Sequence, residues 1–227
     1  GDTTEIKVIN SANGEAPSVV TFTNTVAADT LTVGTTTYGG AALFEEAVTT
    51  PTINVVGGDH GDEDSTVTFD KAVTATSGIT LDDNTGVTKV IFAQNNTVDI
   101  ASTIDGGADN EGTIQVTGAT KTFTSTIGGT YDIGTLDIDG TSIFNAAVSA
   151  TNIDNDGTAT FKSDVTAATA NDGTLTLTPN GNNNITHSGA ISGAGILNAV
   201  EADDDAVNSV TFSTTVAAAT FNIGSTT

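Results

Sequence analysis

Carboxylates carry the most concentrated chemistry in this chain. The stretch NIDNDG sets Asn152, Asp154 and Asp156 at alternate positions ahead of Gly157. Oxygen donors at that spacing before a glycine form the first half of an EF-hand-like calcium loop, since calcium takes about six to eight oxygen ligands. The pattern departs at its twelfth position, which is Ser163 instead of Glu. A second cluster, GGDHGDEDS, holds Asp59, Asp62, Glu63 and Asp64, and further acids gather at Asp82 and Asp83, at Asp105, Asp109 and Glu111, at Asp137 and Asp139, and at Asp203 to Asp205. Like charges this close repel by about 1 kcal/mol or more per pair near a surface, and a hard divalent cation removes that penalty. Calcium is therefore the one cofactor the sequence suggests, with Asn152, Asp154 and Asp156, then Asp59, Asp62 and Asp64, as its ligands. The competing reading is a set of solvated turns that keep strand edges from pairing wrongly.

Catalytic chemistry is sparse. The two histidines, His60 and His187, lie far apart and share no metal-ligand spacing, and neither a phosphate-binding loop nor a G-x-S-x-G elbow occurs. Glycoside hydrolysis needs two carboxylates across one bond, and Asp137 with Asp139, or Asp154 with Asp156, share a strand face. Alternate acids arise freely in an acidic, turn-rich chain, however, and aromatic residues that could stack on sugars are few. We expect no enzyme. Among 227 residues, 28 acids stand against five lysines, giving a net charge of −23 with no arginine. Such a chain repels phosphate backbones and anionic membrane surfaces, which excludes nucleic-acid binding. No apolar run is long enough for a spanning helix. Cysteine is absent, which removes disulfide and thiol chemistry and suits an exported protein. Sequons at Asn95 and Asn184 are expected by chance in a chain this rich in Asn and Thr.

The elements that would position these loops follow a repeat. Phe22, Phe44, Phe69, Phe123, Phe144, Phe161 and Phe212 are each followed four positions later by Val26, Val48, Val73, Ile127, Val148, Val165 and Val216, whereas Phe92 has Asn96 at that place. Another apolar residue comes nine or ten positions after several of these anchors, as at Leu31, Ile53, Ile79, Ile133, Ile153 and Phe221. Even spacings put such side chains on one face of a strand. Thr and Val favour extended chain, and Gly, Asn and Asp favour the turns between. No segment holds a helical apolar stripe, with the Ala-rich piece from Gly39 to Val48 the nearest approach.

From Phe22 to Phe161 the anchors recur at unequal intervals, shortest between Phe144 and Phe161 and longest between Phe92 and Phe123. Units too small to bury their own apolar face stack into solenoids. The sequence thus predicts an all-β parallel β-helix of coils about 20–25 residues long, in a single repetitive domain spanning residues 1–227, with the option that it is a segment of a longer repeat protein. The rival is a β-sandwich subunit with donor-strand exchange, in which the N-terminal TEIKVIN inserts into a neighbour. The last phrase, VTFSTTVAAATFNIG, copies VTFTNTVAADTLTVG from near the start of the chain, and we read the two as copies of one coil.

The phrases VTFTNTVAADTLTVG, STVTFDKAVTATSGITL and SVTFSTTVAAATFNIG resemble the β-strand repeats of bacterial autotransporter passengers, secreted adhesins and surface-layer proteins. That resemblance implies an extracellular, cell-surface, structural role. The expected partner is the chain itself, in a head-to-tail homopolymer or array, with Val20, Phe22, Val26, Leu31, Val210, Phe212, Val216 and Phe221 as core and contact residues. A stalk or binding region of an adhesin, with a carbohydrate or other cell-surface ligand, is the second expectation, and a carbohydrate-active β-helix enzyme the third.

Overall fold

The computed structural model describes residues 4–10, 18–60, 63–93, 98–180, 183–201 and 208–225. Asp62, Asn95, Asn96 and Asp203 to Asp205 lie outside them. In chain order the strands are β1 (Glu5–Val8), β2 (Val19–Phe22), β3 (Val26–Ala27), β4 (Thr30–Val33), β5 (Ala41–Phe44), β6 (Val48–Val56), β7 (Ser65–Phe69) and β8 (Val73–Asp82). There follow β9 (Thr88–Phe92), β10 (Val98–Ile100), β11 (Ile104–Gly106), β12 (Glu111–Val116), β13 (Lys121–Phe123), β14 (Ile133–Ile138), β15 (Thr141–Phe144) and β16 (Val148–Asn155). The remainder are β17 (Thr158–Phe161), β18 (Val165–Asn171), β19 (Thr174–Leu177), β20 (Ile185–His187), β21 (Ile191–Ser192), β22 (Ile196–Glu201), β23 (Val210–Phe212) and β24 (Thr220–Ser225). There is no helix among the described residues, and the Gly39–Val48 stretch holds β5 and the first residue of β6.

Every ladder between these strands is parallel. The chain is a β-solenoid of about nine turns averaging about 22 residues. The sandwich alternative fails because hairpins would have brought antiparallel pairs. The N-terminal strand β1 pairs with β4 of its own chain.

Each rung visits three faces. On the first, inward residues run Val20, Ala42, Val67, Val90, Ile114, Leu136, Ile153, Thr169, Ile191 and Val216. The steps along this column are uneven, short from Leu136 to Ile153 and from Ile153 to Thr169, long from Ala42 to Val67 and from Ile191 to Val216. On the second face, Ile100, Phe123, Phe144, Phe161, Leu177, Ala199 and Ile223 stack in register. On the third, the column is Ile6, Leu31, Ile53, Ile79, Ile104, Ile127, Val148, Val165, His187 and Phe212. Varying corner lengths absorb the uneven steps while the sides stay constant.

This geometry corrects the reading of the first and last phrases as one coil. Phe22 lies on the first face, in register with Phe44, whereas Phe212 lies on the third, in register with His187. The repeat unit is a side followed by a corner and another side. Any side of a three-sided rung needs two alternating inward residues and a turn, so V-x-F fits all three faces equally.

Seven of the nine phenylalanines form two stacks that meet edge to face, and Phe212 and Phe221 pair apart from them. Phe22, Phe44, Phe69 and Phe92 stack at centroid separations of 4.7, 5.5 and 5.9 Å on the first face, and Phe123, Phe144 and Phe161 at 4.9 and 4.6 Å on the second. Such pairs contribute about 0.5–1.5 kcal/mol each beyond their buried area. Where the column leaves the first face, Val116, Ile138, Asn155 and Asn171 continue it. The two buried asparagines bond across rungs, Asn155 Nδ2 donating to Asn171 Oδ1 at 2.6 Å and Asn171 Nδ2 to the Ile196 carbonyl at 3.0 Å.

Candidate functional site

The acidic loops turn out to be corners. Asp139-Gly140-Thr141, Asp156-Gly157-Thr158 and Asp172-Gly173-Thr174 occupy successive rungs between the first and second faces. The Gly157 amide donates to the Ile138 carbonyl at 2.8 Å and that of Gly173 to Asn155 at 2.8 Å. A Cβ on Gly157 would collide with the Gly140 carbonyl oxygen, and one on Gly173 with that of Gly157. Glycine is required there because one corner rests directly on the next. The recurrence of D-G-T at three successive corners was a signal in the sequence that the calcium-loop reading passed over.

Many other carboxylates link neighbouring rungs. Asp83 accepts from the Thr88 amide and hydroxyl, both at 2.6 Å, and from the Gly112 amide at 2.9 Å. Asp105 accepts from the amides of Gly129 and Thr130, Asp164 from Thr186 and Asp172 from Ala194. Carboxylates accepting backbone N–H bonds make strong, charge-assisted contacts. Of the candidate cation ligands, Asp64 accepts from the Val87 amide at 2.9 Å and Asp59 lies 3.7 Å from His60 Nε2. Asn152 and Asp154 lie on β16, aligned with Thr135 and Asp137 of the previous rung, and Asp156 lies at the corner beyond. They are strung along an extended strand, not wrapped around a point. Among the described residues no group of three or more His, Cys, Asp or Glu could hold a metal ion.

One acidic ladder does run across rungs. Asp137 aligns with Asp154, and Gln115 Nε2 donates to Asp139 Oδ2 at 2.8 Å. Partial burial, then the charge of Asp139 and those of Asp154 and Asp156, push the Asp137 carboxyl up, against an opposing pull from Lys89. Asp137 and Asp154 belong to different rungs, which is why alternate spacing along one strand could not find the pair. Asn152 and Asp154 also border a shallow groove of about 430 Å³ floored by Ala168, Ala170 and Ser192.

His187 is buried on the third face. Its Nδ1 donates to the Gly189 carbonyl at 3.0 Å, so Nε2 is the acceptor for the Thr169 hydroxyl at 3.1 Å. Burial holds its pKa below the usual histidine value, only partly offset by the Gly189 carbonyl. This is a core histidine, in register between Val165 and Phe212. Lys121 is also buried, donating to the carbonyls of Thr117 and Ala119, and burial lowers its pKa.

The assembly candidates separate into two ends. Val20, Phe22, Val26 and Leu31 fall at the N-terminal end, where Leu31 is wholly enclosed, Val26 nearly so, and Val20 exposed. Val210, Phe212, Val216 and Phe221 fall at the other. There the Phe212 and Phe221 rings meet edge-on at 5.6 Å beside a hollow of about 560 Å³, lined by Pro179, Ala199, Val210 and Ile223 among others. Val19 is 63% exposed and Ile223 79%, so both end rungs present apolar side chains. Sequence periodicity missed Val19 and Ile223 as surface residues because it marks inward positions without saying which rung is outermost. No family model, curated protein or solved structure matches the chain.

Proposed function

We propose that the protein is an architectural module that associates end to end, as a segment of an extracellular filament or surface array. The observation that carries this reading is the exposed apolar side chains on the first and last described rungs. Stacked strands with apolar interiors need a neighbour on each side, and unpaired edges beside exposed apolar residues recruit one. Ile223 and Phe221 at one end, with Val19 and Val20 at the other, supply those surfaces. The likeness of the repeats to bacterial surface proteins favours the extracellular setting, and the chain's acidity keeps the sides of such rods apart.

Negative-stain images and sedimentation across a concentration series test it. The expected result is fibres one solenoid wide that lengthen with concentration and are lost in Ile223→Asp. Monodisperse short rods at every concentration would refute assembly and return the chain to the adhesin-stalk reading.

A further inference from the structure

We propose that the middle of the solenoid encloses a water molecule, bound between the Ser142 hydroxyl and the Asn155 side-chain carbonyl. Both oxygens are wholly buried, and neither has a hydrogen-bond partner within the protein. Buried polar groups are almost always satisfied, by protein or by ordered water.

The neighbouring amides make Asn155 an acceptor. Asn171 Nδ2 donates to the Ile196 carbonyl at 3.0 Å, which leaves Asn171 Oδ1 to accept from Asn155 Nδ2 at 2.6 Å. A backbone carbonyl can only accept, so both amides are oriented from that end, and Asn155 Oδ1 is the acceptor left over. On the preceding rung Asn155 aligns with Ile138, whose side chain has no proton to give.

Ser142 is the polar side chain beside Ile138 on that rung. Ile138 and Ser142 point inward on either side of the corner at residues 139–140, as Asn155 and Ala159 do around the corner at 156–157. Ile138 aligns with Asn155, and Ser142 with Ala159. The four side chains therefore gather inside two stacked corners, with Ser142 diagonal to Asn155. The bond from Asn171 to Ile196 shows that an asparagine in this column reaches across a corner to the second face of an adjacent rung.

Two small residues supply the room. The inward column that opens the second face includes Lys121, Ser142, Ala159, Leu175 and Leu197 in succession. Its two smallest members are adjacent, so side-chain volume is missing from two consecutive rungs where the two oxygens lie. A water molecule, whose share of liquid volume is about 30 Å³, fits in less than the volume by which leucine exceeds alanine. Charge selects the same occupant. Lys121, in register with Ser142, places an ammonium group on the preceding rung, donating to the Thr117 and Ala119 carbonyls. A metal ion is repelled by that ammonium and an anion by the Asn155 carbonyl oxygen. Water is neutral and both donates and accepts. With it in place, a polar file runs from Ser142 through Asn155 and Asn171 to the Ile196 carbonyl, across four rungs.

A crystal structure of the full chain, at a resolution that shows ordered solvent, tests the site. The expected result is one water peak about 2.7–3.2 Å from both Ser142 Oγ and Asn155 Oδ1. No peak there, or a Ser142 hydroxyl bonded straight to Asn155, overturns the proposal. Water–protein nuclear Overhauser measurements give a second readout in solution. Wild type should show cross-peaks between long-lived water and the side-chain amide protons of Asn155. Ser142→Val fills the space and should abolish them while circular dichroism keeps the native strand signal. Cross-peaks unchanged in folded Ser142→Val would place the water elsewhere and overturn the site. If that variant does not fold, the wild-type crystal structure decides alone.

Discussion

Phe92 and Phe123 meet edge to face, their ring centroids 5.3 Å apart and their planes at 82°. They are not ladder partners: Phe92 aligns with Val116, and Phe123 with Ile100. The contact crosses the interior from the first face to the second. It joins two stacks of rings that would otherwise end in the middle of the molecule, and it coincides with the long gap between anchors that interrupts the sequence repeat.

The stack predicts a graded response to truncation. Phe69 is enclosed between Phe44 and Phe92, whereas Phe22 is half-buried with one stacked neighbour. Phe69→Ala is expected to cost about 3–5 kcal/mol and Phe22→Ala clearly less. Urea unfolding followed by circular dichroism measures both, and equal losses would count against the stack as a source of stability.

Asp83 braces its own corner through two hydrogen bonds from Thr88, whose side chain is buried, and reaches the next coil through a third, from the Gly112 amide. Asp83→Ala leaves those donors unsatisfied and should cost about 1–3 kcal/mol. Asp83→Asn, which keeps one acceptor oxygen, should cost less. Thermal melts of the two variants give the order.

The glycine corners predict a contrast between two alanine substitutions. Gly157→Ala drives a Cβ into the Gly140 carbonyl and should cost about 1–3 kcal/mol. Gly224→Ala meets nothing within 4 Å and should leave stability unchanged. A corner that simply rearranged would show no difference between them in a melt.

His187 makes stability depend on pH. Its folded pKa lies below the ordinary 6.5, so below that pH the unfolded chain takes up a proton that the folded chain refuses. Its contribution is complete above pH 6.5 and declines as the solution is acidified toward the folded value. The melting temperature should fall between pH 7 and pH 5, about the window below the histidine value, and His187→Leu should flatten that slope.

Asp137 has the opposite sign. Its folded pKa is raised above 3.8, so the folded chain holds the proton more tightly and stability is lost as pH rises through that value. Asp137→Asn should therefore melt about 1–2 °C higher at neutral pH, an effect tempered by solvent at this half-buried site. The gain should vanish below the ordinary carboxylate range, where wild type is protonated too.

The sequence alone determined the kind of structure: parallel rungs, apolar inside and without helix, whose expected length of about 20–25 residues brackets the average of about 22 in the fold. Alternation and recurring turns are local properties, and Phe44, Val48 and Ile53 announce their inward direction by spacing alone. It could not determine which face each repeat occupies. Phe22 and Phe212 sit in nearly identical phrases, yet the corner lengths accumulated between them, including the short steps from Leu136 to Ile153 and Thr169, carry them to different sides. Nor could it reveal that Asp83 and Asp105 direct their charge at the amides of the next rung, or that Asp137 stands beside Asp154. Those relationships depend on vertical neighbours, and in a stack of unequal turns vertical neighbours are set only once every corner has closed.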